Sequence, residues 1–468
     1  MDPDPSPRQT APMRGMRTFR FAMHCLTAVL LCGPRAVLAA DLPTDLATQP
    51  PTAGHSVTVG LTESAEWLRN LRGGLKTGQI YHGLATLTLG LDTEQADAWM
   101  GGNFNLSALQ IHGRSLSAGF VGSLQSASNI EADPGPRLWE VWYQQKVLGD
   151  SMDIKLGQQS IDQEFMASQY SALFIGPAFG WPALPSYDLP AGGPVYPLSV
   201  PGVRIRARLN QTTTWLVGAF AGNPANSSPS QDPQQVNPRG TTFSLHGGTL
   251  YISELQYGRN QPDSTESGST ANGSLPGTYK LGTWYHTHKF SDPRFDDGGR
   301  SLAHPLSSGN ALQHSGNYSV YGLADQTVWR EGEAGARVVN VFARAMAAPG
   351  NRNPISFSAN FGVTMTAAFE QRSEDVIGLG VGYVRIGSHL RALDADTQVF
   401  LATNQPVRNS ETFIEATYQY QLTNRWQLQG TLQYTRHPAG GAVDTNNPAN
   451  AKRTPNATVV GLRTNFMF

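Results

Sequence analysis

The chain is long, weakly charged and close to electrically neutral. It has 468 residues, of which 15% are charged, whereas an average soluble domain carries about 25%. The formal net charge of −1 excludes the strongly basic surface typical of nucleic-acid-binding proteins. The sequence contains no run of 18 consecutive apolar residues, so it predicts no helical membrane span. With 49 glycines and 31 prolines, the composition favours strands and turns over helices.

The N-terminus has the pattern of a secretory signal peptide. Three arginines at positions 14, 17 and 20 precede an apolar run over 21–32, and small residues follow. We predict a signal peptide over residues 1–40, cleaved after Ala39 or Ala40, and a periplasmic N-terminal segment over residues 41–63. The chain has only two cysteines, Cys25 and Cys32, and both lie inside the predicted signal peptide. The mature protein is therefore expected to lack disulfides, thiol catalysis and cysteine-bound metals.

The rest of the chain is predicted to form alternating β-strands. In the clearest case, apolar and polar residues alternate over 414–422 and again over 425–436, and only Thr423-Asn424 separates the two runs. This pattern predicts a tight hairpin. About fifteen such runs follow residue 78, and Ala65–Leu71 supplies one more. Other clear runs are Tyr81–Leu91, Leu138–Val147, Met152–Leu156, Val203–Leu209, Tyr279–His288 and Val459–Phe468.

The connections between these runs differ in length in a regular way. Short ones fall at 148–150, 210–213, 329–335, 368–375 and 423–424. Long ones fall at 113–137, 159–200, 221–248, 289–316, 386–411 and 437–457. Short turns at one end and long loops at the other, with an even strand count, are typical of outer-membrane barrels. We therefore predict an all-β fold, a transmembrane antiparallel β-barrel of about 16 strands over residues 64–468. A soluble β-sandwich is the alternative, and the polar segment 259–277 breaks the regular pattern.

Several stretches resemble the carbohydrate-selective outer-membrane porin (OprB) family. The similarity extends from about residue 60 to the C-terminus and depends on several motifs in family order. These motifs are Asn105–Ser117, Arg137–Tyr143, Gly157–Phe165, Ser168–Phe174, Phe179–Pro185, Pro276–Gly282 and Ala324–Gln326. The resemblance implies a sixteen-stranded barrel in the bacterial outer membrane, with a narrow constriction through which glucose and related sugars diffuse. The polar insert around 259–277 departs from the family pattern.

Alternation also predicts which side chains face the lumen. On the run Val203–Leu209 the apolar residues face lipid, because an arginine facing mid-bilayer lipid costs about 2–4 kcal/mol. Arg204, Arg206 and Arg208 are then predicted to line the lumen as a ladder. The loop over 159–200 is rich in aromatic residues and prolines, so we expect it to fold inward and narrow the pore. Its acidic groups would then face the arginines. Direct pairing of lumen charges with one another is the alternative. The candidate pore-lining residues are Arg114, Glu140, Trp142, Asp162, Glu164, Trp181, Asp188, Arg204, Arg206 and Arg208.

The predicted function is passive diffusion of small sugars through an outer membrane, without catalysis or cofactor. The sequence contains neither a G-x-S-x-G elbow nor an H-E-x-x-H helix. One alternative is a glycoside hydrolase that uses Asp162 and Glu164, and another is a secreted sugar-binding module. His286 and His288 lie two residues apart on one strand face and could suggest a metal site, but the sequence shows no third ligand. The expected partners are small sugars and outer-membrane lipid but no nucleic acid, and the sequence leaves monomer and homotrimer open.

Overall fold

The barrel closes between its first and last strands. The computed structural model describes residues 56–468 except 150, 229, 262–273, 332–336, 447, 449 and 450. Within these residues sixteen antiparallel strands form one closed sheet, and β1 pairs with both β2 and β16. Every strand pairs with its neighbours along the chain, so the backbone of the wall is hydrogen-bonded between strands and no sheet edge meets the lipid. The predicted fold and strand number are confirmed. The predicted signal peptide and residues 41–55 lie outside the described residues.

The strands and helices have the following bounds. The first eight strands are β1 Val57–Arg72, β2 Gly78–Asp92, β3 Gly102–Gly113, β4 Gly135–Val147, β5 Met152–Gln159, β6 Val200–Arg208, β7 Thr213–Asn223 and β8 Ser244–Arg259. The last eight are β9 Gly277–Asp296, β10 Ala311–Arg330, β11 Val338–Ala347, β12 Ile355–Thr366, β13 Val376–Ile386, β14 Ser410–Thr423, β15 Trp426–Arg436 and β16 Ala457–Met467. The connections contain four helices, α1 Ala183–Asp188, α2 Pro233–Val236, α3 Ser388–Phe400 and α4 Pro438–Gly441. Across the described residues no helix has the length and apolar character needed to span a membrane.

The first strand begins earlier than the sequence pattern indicated. It starts at Val57, so the boundary predicted at residue 64 lies inside β1, and the predicted periplasmic segment 41–63 overlaps the barrel. Val57, Val59 and Leu61 are exposed in alternation, in phase with Trp67 further along the strand. The apolar pattern was therefore present in the sequence, but glycine and threonine between these residues weakened it.

Connection lengths follow the predicted alternation over most of the described chain, with exceptions at 73–77, 348–354 and 259–277. β9 and β10 are each 20 residues long, so the loop predicted over 289–316 shrinks to 297–310. The connection 348–354 is short, although it lies at the long-loop end. The insert around 259–277 joins β8 to β9 at the short-turn end, where Arg259 pairs with Gly277. Because the strand number is even, the start of β1 and the end of β16 both lie at this short-turn end.

Candidate functional site

Two long connections fold into the barrel and fill much of its lumen. We call them the first inward segment, residues 114–134, and the second inward segment, residues 160–199. Leu116 of the first segment and Phe179 and Leu184 of the second are completely buried. The second segment contains α1 and several isolated helical turns but no strand. The prediction that constriction loops fold inward is confirmed.

Aromatic packing holds the second inward segment against the wall. The ring of Phe179 lies 6.0 Å from that of Phe342 on β11 and 5.9 Å from that of Phe413 on β14. Between these strands, β13 carries Gly380, where an added Cβ would lie 2.7 Å from Cζ of Phe179. A side chain at this position would displace the segment, so the glycine permits the close approach of ring and wall.

Carboxylates on the inner wall accept hydrogen bonds from the backbone of both inward segments. An irregular segment leaves many N–H groups without partners, and burying such a group unpaired is costly. Glu254 on β8 accepts from the Met166 N–H at 2.7 Å. Glu415 on β14 accepts from Ile175 and Gly176 at 2.9 and 2.8 Å. The five wall residues of this kind, which we call the anchor carboxylates, are Glu140, Glu254, Asp325, Glu411 and Glu415.

Arg344 on β11 donates hydrogen bonds to backbone carbonyl groups of the second inward segment. Its guanidinium is buried and donates to the carbonyl oxygens of Met166 and Ala178 at 2.7 Å, Phe179 at 3.1 Å and Gly180 at 2.8 Å. One side chain therefore ties together two parts of the second inward segment that are distant in sequence. Because the planar guanidinium has five N–H donors in a fixed arrangement, it suits this role better than lysine.

Among these anchoring residues, only Glu140 was among the predicted site residues. The sequence nonetheless contained a sign of the others. Glu254, Arg344 and Glu415 occupy lumen-facing positions on strands whose residues alternate between lipid and lumen. A charged residue on the inner face that meets a long loop requires a partner, and the loop backbone offers one. The sequence does not specify which part of the loop each residue meets.

A cavity of about 1360 Å³ remains between the two inward segments and the wall. Of the ten predicted site residues, Asp162, Trp181 and Asp188 line it. Trp181 also donates its indole N–H to the Gly192 carbonyl at 3.2 Å, so this side chain both lines the cavity and braces its own segment. The predicted set missed several charged and aromatic lining residues, namely Glu131, Trp139, Tyr187, Tyr196, Lys289, Arg352 and Arg463.

Asp188 lines the cavity with a buried carboxylate that has one unpaired oxygen. Its Oδ1 accepts a hydrogen bond from the Ile355 N–H at 3.1 Å. Its Oδ2 is buried and has no hydrogen-bond partner among the described residues. Burial raises the pKa of this carboxyl well above its usual range, and the single backbone hydrogen bond only partly opposes that effect. Asp188 therefore keeps unused hydrogen-bonding capacity directly behind the cavity surface.

Arg352 is a cationic lining residue whose guanidinium has no acidic partner within the described part of the chain. It donates to the Gly316 carbonyl at 3.0 Å and to Oδ1 of Asn351 at 3.1 Å. Glu131 lies on the same cavity, where it accepts hydrogen bonds from the hydroxyls of Ser115 and Ser117 at 2.5 and 2.9 Å. The lining thus combines charges of both signs with aromatic surface.

The predicted arginine ladder faces inward, but its main member is neutralised within the wall. Arg204 is buried and forms ion pairs with Asp153 and Glu164, and Arg206 donates to Asp153 at 2.7 Å. Burial alone would raise the pKa of Glu164, but Lys155 and Arg204 lower it to about 2. Arg208 is exposed at the short-turn end of β6. Of the three acidic groups expected to face the arginines, Glu164 meets Arg204 directly. The arrangement favours the alternative of direct pairing, because a buried charge requires a direct partner.

Other predicted site residues serve the wall rather than the cavity lining. Glu140 accepts from the Ser160 N–H at 2.8 Å and from the indole N–H of Trp142 at 3.2 Å. Arg114 has an exposed side chain and does not line the cavity. Alternation predicted the inward direction of Glu140 and Trp142, but both side chains are buried and neither lines the cavity.

Both carboxylates of the hydrolase alternative are engaged by groups of the protein itself. Glu164 is paired with Lys155 and Arg204 and stays ionised, so it cannot supply the proton that glycoside hydrolysis requires. Asp162 points elsewhere, and its Oδ1 accepts from the hydroxyl of Ser160 at 2.5 Å. Of the two histidines considered as metal ligands, His286 has both ring nitrogens in contact with backbone groups. Nδ1 of His286 accepts from the His288 N–H at 3.1 Å, and its Nε2 lies 3.0 Å from the Gly222 carbonyl oxygen.

Comparisons with known proteins agree with this architecture. Porin B of Pseudomonas aeruginosa is 24% identical over 425 residues, which cover 85% of each chain. The high-pH structure of Pseudomonas putida OprB superposes with a TM-score of 0.73 at 23% identity, covering 88% of this chain and 94% of that one. The low-pH structure of the same protein gives a TM-score of 0.52 at 17% identity, covering 88% and 93%.

A family model extends the agreement to most of the chain. The model described as the carbohydrate-selective porin, OprB family, matches residues 76–468. This range includes β2 to β16 completely, both inward segments and all five anchor carboxylates. The chain therefore belongs to the carbohydrate-selective porin family OprB.

Proposed function

We propose that this protein is a passive channel through which glucose and other small sugars diffuse across the bacterial outer membrane. The family and the closed barrel place the chain in the outer membrane as a sugar channel. The observation that carries the specific proposal is the cavity between the two inward segments. Its lining mixes tryptophan and tyrosine rings with carboxylate, guanidinium and amide groups. Aromatic faces and hydrogen-bonding groups are what a sugar ring requires, since it is apolar on its faces and polar at its edge.

We assign the contacts with sugar to groups that line the cavity and keep hydrogen-bonding capacity. Asp188 has a free oxygen, and the guanidinium of Arg352 has no carboxylate partner among the described residues. Trp181 and Tyr187 supply ring surface nearby. A channel must bind its solute weakly enough to release it. A few such groups in a wide lining meet this condition better than a closed pocket would.

Because the cavity is fixed by two anchored segments, we expect the channel to discriminate by girth. Liposomes containing the refolded protein should swell faster in glucose than in a disaccharide of larger girth, and protein-free liposomes supply the baseline. Swelling is followed by the fall in light scattering after mixing. Equal rates for the two sugars would contradict selectivity, and rates at the baseline for both would contradict a sugar channel.

A further inference from the structure

The outward face of the barrel carries two arginines close together at the long-loop end. Arg385 is the penultimate residue of β13, and Arg436 is the last residue of β15. Both side chains are exposed. Each lies on the same face as a lipid-facing leucine of its own strand, Leu379 and Leu432, which are both 51% exposed. We propose that Arg385 and Arg436 together bind the phosphate group of an anionic lipid in the outer leaflet.

Strand register brings the two guanidinium groups within reach of one ligand. Arg436 on β15 is paired with Thr412 on β14, and Thr412 is paired on its other side with Tyr383 on β13. Arg385 is two residues further along β13 than Tyr383 and is opposite Ser410. Two strand spacings of about 4.8 Å and a rise of two residues give a Cα separation of ~12 Å. Two extended arginine side chains can converge over this distance, and the hydroxyl-bearing residues Ser410 and Thr412 lie between them.

The nearby acidic groups are already engaged elsewhere. Asp394 is paired with Arg408 at 2.6 Å, and Asp396 is paired with Arg294 at 2.8 Å. Glu411, which lies between Ser410 and Thr412 in sequence, faces the lumen and binds the first inward segment. In the described part of the molecule the guanidinium groups of Arg385 and Arg436 have no hydrogen-bond or ion-pair partner. This face therefore carries two positive charges that an external anion can neutralise.

The surroundings match the headgroup region of a membrane. Tyr383 and Tyr434 lie one outward-facing position below the arginines on the same strands, with Ile414 between them. Tyrosines are typical of the boundary between headgroups and acyl chains. An arginine on the lipid face costs only about 0–1 kcal/mol near the interface, and a phosphate can accept paired hydrogen bonds from guanidinium groups. Long loops of such barrels face the outside, so the partner belongs to the outer leaflet.

The two arginines lie on outward-facing positions on either side of a single strand, β14. One isolated cation attracts anions only weakly and without fixed geometry. The juxtaposition of two arginines across one strand gives an anion two donors in a fixed arrangement.

The test is native mass spectrometry of the full barrel in detergent, titrated with bis-phosphorylated lipid A. The double variant R385Q/R436Q should bind at least about tenfold more weakly than the native protein, which corresponds to ~1.4 kcal/mol. The matched control is R259Q/R425Q, which removes the same charge from two exposed arginines at the short-turn end and should bind like the native protein. Heat-modifiable gel mobility verifies that each variant is folded.

Four outcomes would overturn the proposal. They are native affinity in R385Q/R436Q, an equal loss in the control variant, equal binding of lipid A stripped of its phosphates, and displacement of the lipid by excess inorganic phosphate. The first three show that the pair does not recognise the phosphate of a lipid. The fourth assigns the site to free phosphate instead.

Discussion

The Arg344→Met variant is expected to conduct ions several-fold better than the native channel and to lose its discrimination between glucose and larger sugars. The substitution removes the donor to four buried carbonyl groups of the second inward segment. Each unsatisfied buried group costs about 1–3 kcal/mol, which is enough together to release part of the segment from the wall. Methionine is similar to the arginine stem in volume, so the wall itself should remain closed.

Single-channel recording in planar bilayers measures this effect. Arg344→Lys retains the charge but has fewer donors, and it should fall between the native protein and Arg344→Met. Arg425→Met is the control, since Arg425 is exposed in the turn between β14 and β15. If Arg344→Met folds and inserts but conducts like the native channel, the anchoring role assigned to this residue is wrong.

The second large effect is expected at Asp188, where the ion preference of the channel should depend on pH. Burial raises the pKa of this carboxyl well above its usual range, so it is neutral at low pH and becomes charged as the pH rises. The native channel should therefore favour cations increasingly as the pH rises. A single carboxylate beside a narrow path changes the relative permeability of cations and anions by about 1 kcal/mol, or roughly fivefold. Asp188→Asn should abolish most of this change.

Reversal potentials in a potassium chloride gradient, recorded between about pH 5 and pH 9, measure the preference. Asp97→Asn is the matched control because it removes one acidic group from the exposed turn between β2 and β3. A parallel pH dependence in the native protein and in Asp188→Asn would place the titrating group elsewhere, and Glu131 is the next candidate on the cavity.

The wall of the barrel was predictable because its rule is local. Lipid on one side and water on the other impose a period of two, so the sequence around Val203 and Arg204 is sufficient to assign their faces. The even strand count and the closed topology then follow from connection lengths. The inward fold of the loop over 159–200 was also predictable, since its aromatic residues require burial.

The site was less predictable because its contacts join residues that are distant in sequence. Glu415 binds Ile175, and Arg344 binds Met166. No local pattern reveals either pairing. The same limit applies to Arg204. Alternation shows correctly that this side chain faces inward, but only the three-dimensional position of Glu164 shows that the charge is neutralised before it reaches the cavity.

The anchor carboxylates have a consequence for how such channels diversify. They bind main-chain N–H groups, which every residue except proline possesses, so the anchoring does not depend on most side chains of the inward segments. Substitutions that line the passage can therefore accumulate while the position of the segment is retained. The wall of the barrel can therefore stay the same while the side chains of the inward segments change. Selectivity for a new solute can be selected, or engineered, by changing residues that line the passage but do not hold the segment, without redesigning the wall.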